Sequence, residues 1–204
     1  MIDIEVTDAS QVGPLVHKYG VALWRQAVPQ STIKAMMEVV VENLNNLSVY
    51  VAIKGGVMSS SVLPMELRQA RATPQVHNGM NSILGTYAVI NDDGLSSSGI
   101  YMTAKEFKNV HPWHQDASEN FSAYGACVWV AMTECGVDAP GLSFVLRNPG
   151  RVLSEAEVEE YVKTEPIINP VYRPGDAVFF DAYSLHATYR TPPASPAIDP
   201  PPAA

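Results

Sequence analysis

Cysteine is scarce in this sequence, and its scarcity limits the class of protein to which the chain can belong. Two cysteines, Cys127 and Cys135, occur in 204 residues, and neither lies in a Cys-x-x-Cys motif. A disulfide framework is therefore not expected, and a reducing cytoplasm is the compartment that this composition favours. We interpret both cysteines as structural residues.

Positive charge is also scarce. The chain has 13 Lys and Arg against 21 Asp and Glu, which gives a formal net charge of -8. Proteins that bind nucleic acid usually carry a basic face, and cations scattered along the sequence do not supply one. The sequence therefore predicts a protein without a nucleic-acid partner.

Long apolar runs are missing as well. No uncharged apolar stretch reaches the roughly 20 residues that cross a bilayer, so we expect no membrane association. Residues 1–8 are acidic and do not resemble the basic start of a signal peptide. At 47% hydrophobic and 17% charged residues, the chain is typical of one globular domain, which we place at 1–190. Its oligomeric state is left open.

Hydrophobic periodicity predicts two helices in the first quarter of the chain. A helix over 11–20 follows a cap at Asp8 or Ser10, and a strand over 21–28 comes next. The second helix starts after Pro29 and is the clearest in the sequence. Its apolar residues recur at helical spacing: Ile33, Met36, Met37, Val40, Leu44 and Leu47.

Residues 52–79 break this pattern with Gly, Ser and Pro. They predict an irregular connection with a short helical piece at 65–72. Long connections often cover a site, so this segment is a candidate lid, and ordinary surface packing is the alternative. We assign no role to His77, which lies near its end.

Short apolar or alternating runs with turns between them follow residue 82, which is the pattern of an all-β sandwich or barrel. A helix capped by Ser154, with Glu157 three residues later, interrupts them. Residues 191–204 hold six prolines and four alanines and predict an extended tail. The predicted strands are 84–90, 99–103, one carrying residues 114 and 116, 126–132, 142–147, 166–172, 177–181 and one carrying residue 186.

A possible metal motif lies in the sequence His111-Pro-Trp-His-Gln-Asp116. On a strand, alternate side chains share a face, so His114 and Asp116 point the same way and Gln115 points the other way. The best third ligand is His186, because two histidines and one carboxylate form the facial triad of non-haem Fe(II) oxygenases. A His-x-Asp tripeptide also arises by chance, so this motif alone does not decide the function.

The order of motifs resembles that of the phytanoyl-CoA dioxygenase family of Fe(II)- and 2-oxoglutarate-dependent oxygenases. The resemblance covers most of the chain. It depends on Gly20-Val-Ala-Leu before a helix, Trp113-His-Gln-Asp116, Cys127-Val-Trp-Val-Ala-Met132, Ala139-Pro-Gly-Leu-Ser-Phe-Val145 with Asn148-Pro-Gly150, and Arg173-Pro-Gly-Asp-Ala-Val-Phe-Phe180 leading to Leu185-His186.

The resemblance implies a double-stranded β-helix, or jelly roll, of the cupin-like kind, with flanking N-terminal α-helices. It implies that His114, Asp116 and His186 bind Fe(II) and act in catalysis. The expected reaction uses 2-oxoglutarate as co-substrate and dioxygen to hydroxylate, or otherwise oxidise, a small organic molecule. An apolar wall of Trp129, Phe144 and Phe179 is consistent with a shielded site, and ordinary core packing explains the same residues.

One departure from the family concerns the co-substrate. Family members bind the far carboxylate of 2-oxoglutarate with an Arg about ten residues beyond the distal His, and no Arg or Lys follows Arg190 here. Arg190 is our candidate for this role, helped by Thr188 and Tyr101. Further candidates are Arg147 and Lys105. The alternative is a metal-binding jelly roll without 2-oxoglutarate turnover, which means a cupin-like isomerase, a binding protein or an inactive relative of the family.

Overall fold

The computed structural model describes residues 2–44, 73–85, 112–117, 125–137 and 141–189. The predicted helical piece at 65–72, the predicted strand at 99–103 and the tail at 191–204 lie outside these ranges. The elements in chain order are β1 (Glu5–Val6), a 3-10 helix (Ala9–Gln11), α1 (Val12–Tyr19), β2 (Ala22–Trp24), α2 (Gln30–Leu44), α3 (Pro74–Leu84), β3 (Ala126–Val130), β4 (Gly141–Val145), α4 (Glu155–Thr164), β5 (Ile167–Ile168), β6 (Ala177–Asp181) and β7 (His186–Tyr189).

The strands form two sheets, one in the order β1-β2-β6-β3 and one in the order β5-β4-β7. The β1–β2 pair is parallel, and the other pairs are antiparallel. The two sheets pack face to face, and helices cover the outer face of the larger one. This arrangement confirms the predicted jelly roll with flanking N-terminal helices.

Strand β6 is the central element, because it is buried on both faces. Its side chains alternate, so Val178 and Phe180 pack between the sheets, while Ala177 and Phe179 pack against the helices. Across the sandwich, Leu142 and Phe144 of β4 complete the core between the sheets.

The helical layer depends on one close approach. Helix α3 packs on Phe179, and a Cβ added at Gly79 would lie 2.6 Å from its ring. Helix α3 also overturns part of our sequence prediction, since 73–79 is not irregular and Leu84 is not the start of a strand. Pro74 in the first turn suits a helix start, and Val76 and Ile83 form its buried stripe.

Local capping signals are confirmed. Asp8 accepts a hydrogen bond from the Ser10 amide at the start of the 3-10 helix. Ser154 and Glu157 form the predicted capping box of α4. The turn at 173–176 closes with a 3.0 Å hydrogen bond from the Asp176 amide to the Arg173 carbonyl, and leads into β6.

Candidate metal centre

Two separate parts of the chain meet at this site. Strand β7 begins at His186, whose register partner on β4 is Phe144. On its other side, His186 forms an isolated antiparallel bridge with His114. His114 and Asp116 are two residues apart, and their donor atoms lie on the same side of the segment, as the alternation predicted.

The three predicted ligands come together. One nitrogen of each histidine and one oxygen of Asp116 all lie within 4.8 Å of one another. Asp116 Oδ1 is 3.8 Å from His114 Nε2 and also 3.8 Å from His186 Nε2. A bound metal would bring these atoms closer, since protein nitrogen and oxygen ligands lie about 2 Å from such ions. The donor set is the one that non-haem Fe(II) sites use.

Backbone carbonyls orient both imidazole rings. His114 Nδ1 lies 2.8 Å from the Pro112 carbonyl, and His186 Nδ1 lies 3.0 Å from the Ser184 carbonyl. A carbonyl only accepts, so each Nδ1 donates its hydrogen there, and each Nε2 is the nitrogen that faces Asp116. This orientation leaves Nε2 to bind a metal, with the outer hydrogen bond fixing the ring. The residues therefore fit a metal ion.

The second oxygen of Asp116 has a partner that the sequence did not reveal. The Cys127 thiol donates a 3.3 Å hydrogen bond to Asp116 Oδ2. Burial, and then the nearby Asp116 charge, raise the pKa of this thiol, which keeps it protonated. Cys127 forms no disulfide, and its thiol contacts the carboxylate of the candidate metal centre.

Aromatic side chains surround His186, which is 5% exposed. Its ring centroid lies 5.9 Å from that of Phe144 and 4.8 Å from that of Phe180. Phe179 is not part of this wall, because it packs against the helices; ordinary core packing, the alternative explanation, describes it. Trp129 lies partly buried beside the core between the sheets and meets Tyr172 edge-on at 5.0 Å.

Among the described residues, Thr188 is the one co-substrate candidate that lies on the same strand and face as a metal residue. It is 8% exposed and pairs with Leu142, which places it on the same face as His186. Its hydroxyl makes no hydrogen bond to any described residue. A buried hydroxyl without a partner is costly, so this atom fits a polar ligand. Arg190, Tyr101 and Lys105 lie outside the described residues.

The remaining basic and histidine candidates are placed elsewhere. Arg147 is exposed, pairs with Glu165 and stacks on the Tyr161 ring. His77 is exposed on α3, and His111 lies outside the described residues. No lysine or arginine is buried in the described part of the chain. In the same part, no helix is long and apolar enough to cross a membrane.

Solved structures with the same fold share little sequence with this chain. AviO1 from Streptomyces viridochromogenes Tue57 is 14% identical with a TM-score of 0.59, covering 93% of this chain and 91% of that one. SnoK, a non-heme alpha ketoglutarate dependent carbocyclase from nogalamycin biosynthesis, is 14% identical with a TM-score of 0.62, covering 90% and 80%. EctD from S. alaskensis, solved with 2-oxoglutarate and 5-hydroxyectoine, is 13% identical with a TM-score of 0.65, covering 92% and 72%.

Sequence identities this low, taken with the structural match, establish a shared fold but not a shared activity or substrate. No curated protein sequence matches the chain. The sequence profile of the family described as phytanoyl-CoA dioxygenase (PhyH) matches residues 16–192, a range that includes all three residues of the metal centre. The chain therefore belongs to the phytanoyl-CoA dioxygenase family.

Proposed function

We propose that this chain is an Fe(II)- and 2-oxoglutarate-dependent oxygenase that hydroxylates a small organic molecule. The observation that carries the proposal is the convergence of His114, Asp116 and His186, with both Nε2 atoms directed at one carboxylate oxygen. Three ligands on one side of a metal leave positions for a bidentate 2-oxo acid and for dioxygen.

Bound iron would supply the oxidative chemistry, in which dioxygen, 2-oxoglutarate and a substrate C–H bond give succinate, carbon dioxide and an alcohol. The chain's own residues hold and shield the site. The Pro112 and Ser184 carbonyls fix the two rings. Phe144 and Phe180 keep water from the buried side of His186.

The substrate would approach from the open side of the centre. The side chains of His114 and Asp116 are each 38% exposed, whereas that of His186 is 6% exposed. Thr188 lies further along β7 on the same face, so its hydroxyl would bind the co-substrate rather than the substrate. Arg190 is two residues beyond Thr188 and remains our candidate for the far carboxylate of 2-oxoglutarate.

Two structural neighbours support this proposal. SnoK is described as alpha ketoglutarate dependent, and EctD was solved with 2-oxoglutarate. SnoK is a carbocyclase, so the fold also supports oxidations other than hydroxylation. The substrate of this chain is a small molecule in our proposal, without a nucleic-acid or membrane partner, and its cytoplasmic location stays a prediction from composition.

An anaerobic titration tests the proposal. The apo-protein should bind one Fe(II) per chain, and adding 2-oxoglutarate should produce a visible charge-transfer band. Exposure to dioxygen should then release succinate. Iron binding without the band and without succinate would instead favour a metal protein that does not use 2-oxoglutarate. That second candidate is motivated by the lack of a buried lysine or arginine among the described residues.

A further inference from the structure

We infer that Gln115 is a positioning residue that fixes the distance between the two halves of the metal centre. One half is the segment that carries His114 and Asp116, and the other is the start of β7 at His186. The inference rests on the proposed metal site, but it concerns a side chain that points away from the metal and takes no part in binding it.

The Gln115 side chain makes three hydrogen bonds. Its Nε2 donates to the Tyr183 carbonyl at 2.6 Å and to the Arg151 carbonyl at 2.9 Å. Its Oε1 accepts from the Leu153 amide at 2.7 Å. Both amide protons and the amide oxygen therefore have partners, and all three partners are backbone atoms, whose positions do not depend on a rotamer.

One of these partners, the Tyr183 carbonyl, lies in the turn that orients the third ligand, His186. Tyr183 is three residues before His186, and the next carbonyl along the chain, that of Ser184, accepts from His186 Nδ1. The Ser184 hydroxyl donates to the Gly20 carbonyl and accepts from the Asp181 amide, which anchors this turn to the sheet. Gln115 thus connects the segment bearing two ligands to the turn that orients the third.

The other two partners lie just before α4. The Arg151 carbonyl and the Leu153 amide precede the Ser154 cap, and Leu153 is buried beside Leu185. The segment that carries His114 and Asp116 is therefore hydrogen-bonded through Gln115 to two elements, the turn before β7 and the start of α4. The bridge between His114 and His186 aligns the two backbones. The side-chain amide of Gln115 sets the distance between the segment that carries Asp116 and the turn before β7.

Only a side chain that offers two donors and one acceptor in the plane of the Gln115 amide group satisfies all three backbone groups. Glutamate has nearly the same shape and keeps the bond from the Leu153 amide, but it places an oxygen against two carbonyls. Methionine keeps the length and removes all three bonds. Either substitution leaves backbone groups without partners and loosens the spacing between the ligands.

The experiment compares Co(II) binding to the apo forms of the parent, Gln115→Met and Gln115→Glu by calorimetry and visible absorption. The matched control is Gln11→Met, the same substitution at a distant glutamine. The Gln11 side chain accepts hydrogen bonds from the Thr7 and Asp8 amides at the start of the chain, and it makes none to residues 112–117 or to the turn before β7. Circular dichroism and melting temperature are measured for every variant.

We expect both Gln115 variants to bind Co(II) about 10- to 100-fold more weakly than the parent, the range seen when groups that orient metal ligands are removed. Their Co(II) absorption bands should shift, whereas Gln11→Met should keep the parent affinity and bands despite a lower melting temperature. Two variants are used because either one could fail to fold.

Parent-like Co(II) affinity and bands in a folded Gln115 variant would overturn the inference. So would an equal loss of affinity in Gln11→Met, since that would make the effect one of general stability. A parent chain that binds no Co(II) would refute the proposed metal site itself. The parent titration therefore decides the proposed function, and the ratio of variant to parent decides the role of Gln115.

Discussion

The backbones of His114 and His186 form two hydrogen bonds with each other, one from each amide to the other carbonyl, and both are 3.0 Å long. Their ring centroids lie 4.3 Å apart. These bonds align strand β7 with the His-x-Asp segment. The alignment occurs at His186, the residue that supplies the third ligand. Main-chain pairing therefore places the two histidines side by side in the candidate metal centre.

Removing one ligand should abolish tight metal binding. His186→Ala is expected to weaken Fe(II) binding by at least about 100-fold, because even the loss of an outer partner of a ligand typically costs 10- to 100-fold. The matched control is His77→Ala, which removes an exposed imidazole on α3 and should leave the affinity unchanged. Anaerobic calorimetry gives both values, and parent-like iron affinity in His186→Ala would refute the ligand assignment.

The sequence predicted the parts of this centre that depend on local geometry. Strand alternation with period two is a property of a few residues, so the shared face of His114 and Asp116 could be read directly. His186 is distant in sequence, and it was predicted from its donor type, since a second imidazole completes the facial triad, and then from the order of the family motifs. Its convergence with the pair depends on the pairing of segments far apart in the chain, which no local pattern encodes.

The errors have physical causes as well. In β6 both faces are buried, so Phe179 and Phe180 look alike in the sequence, and only the sheet packing shows which one meets His186. Helix α3 was not predicted because its buried stripe is short and polar residues separate its few apolar positions. Its position is stabilised by tertiary contacts, including the hydrogen bond from the Gly13 amide to the Ser82 hydroxyl.

The thiol of Cys127 should influence the metal centre through Asp116. Cys127→Ala removes the donor to Asp116 Oδ2 and is expected to weaken Co(II) binding by roughly three- to tenfold, less than the loss of a ligand, since a thiol is a weak donor. Cys127→Ser retains a donor and should restore most of the affinity. Co(II) titrations that give the same constant for all three proteins would show that the thiol has no such influence.

The start of α4 should make stability depend on pH. Hydrogen bonds from Arg151, and then from Ser154, lower the pKa of Glu157 to about 2. A carboxyl with a lowered pKa stabilises the fold above its unfolded value, near 4.5, and this contribution disappears as the pH falls towards 2. Glu157→Gln should therefore lower the melting temperature at pH 7 by a few degrees, with the difference vanishing near pH 2.

The control for this prediction lies in the same helical turn. Glu155→Gln changes the net charge by the same amount, but the Glu155 carboxylate makes no hydrogen bond within the described residues. It should shift the melting temperature little at either pH. A Glu157→Gln difference that stays constant from pH 7 to pH 2 would mean that the capping carboxylate is not the titrating group.

Binding of 2-oxoglutarate should depend on Thr188 and Arg190. Residues 186, 188 and 190 alternate onto one face if β7 continues, at about 3.3 Å per residue. Breaking a buried charge pair typically costs 2–5 kcal/mol, so Arg190→Ala should raise the 2-oxoglutarate dissociation constant on the order of 30-fold or more. Thr188→Val removes a single hydroxyl and should raise it roughly 10-fold. Titration of the Fe(II)-loaded variants measures both constants.

Two comparisons separate a role in co-substrate binding from a general effect. Fe(II) affinity should stay close to that of the parent in both variants, because neither residue is a proposed ligand. Arg147→Ala is the control for loss of a cation, since Arg147 is exposed and paired with Glu165, and it should leave the 2-oxoglutarate constant unchanged. If Arg190→Ala also leaves it unchanged, Lys105→Ala is the next substitution, because Lys105 is then the remaining basic candidate. Parent-like constants in all of these variants would favour a metal protein of this family that does not use 2-oxoglutarate.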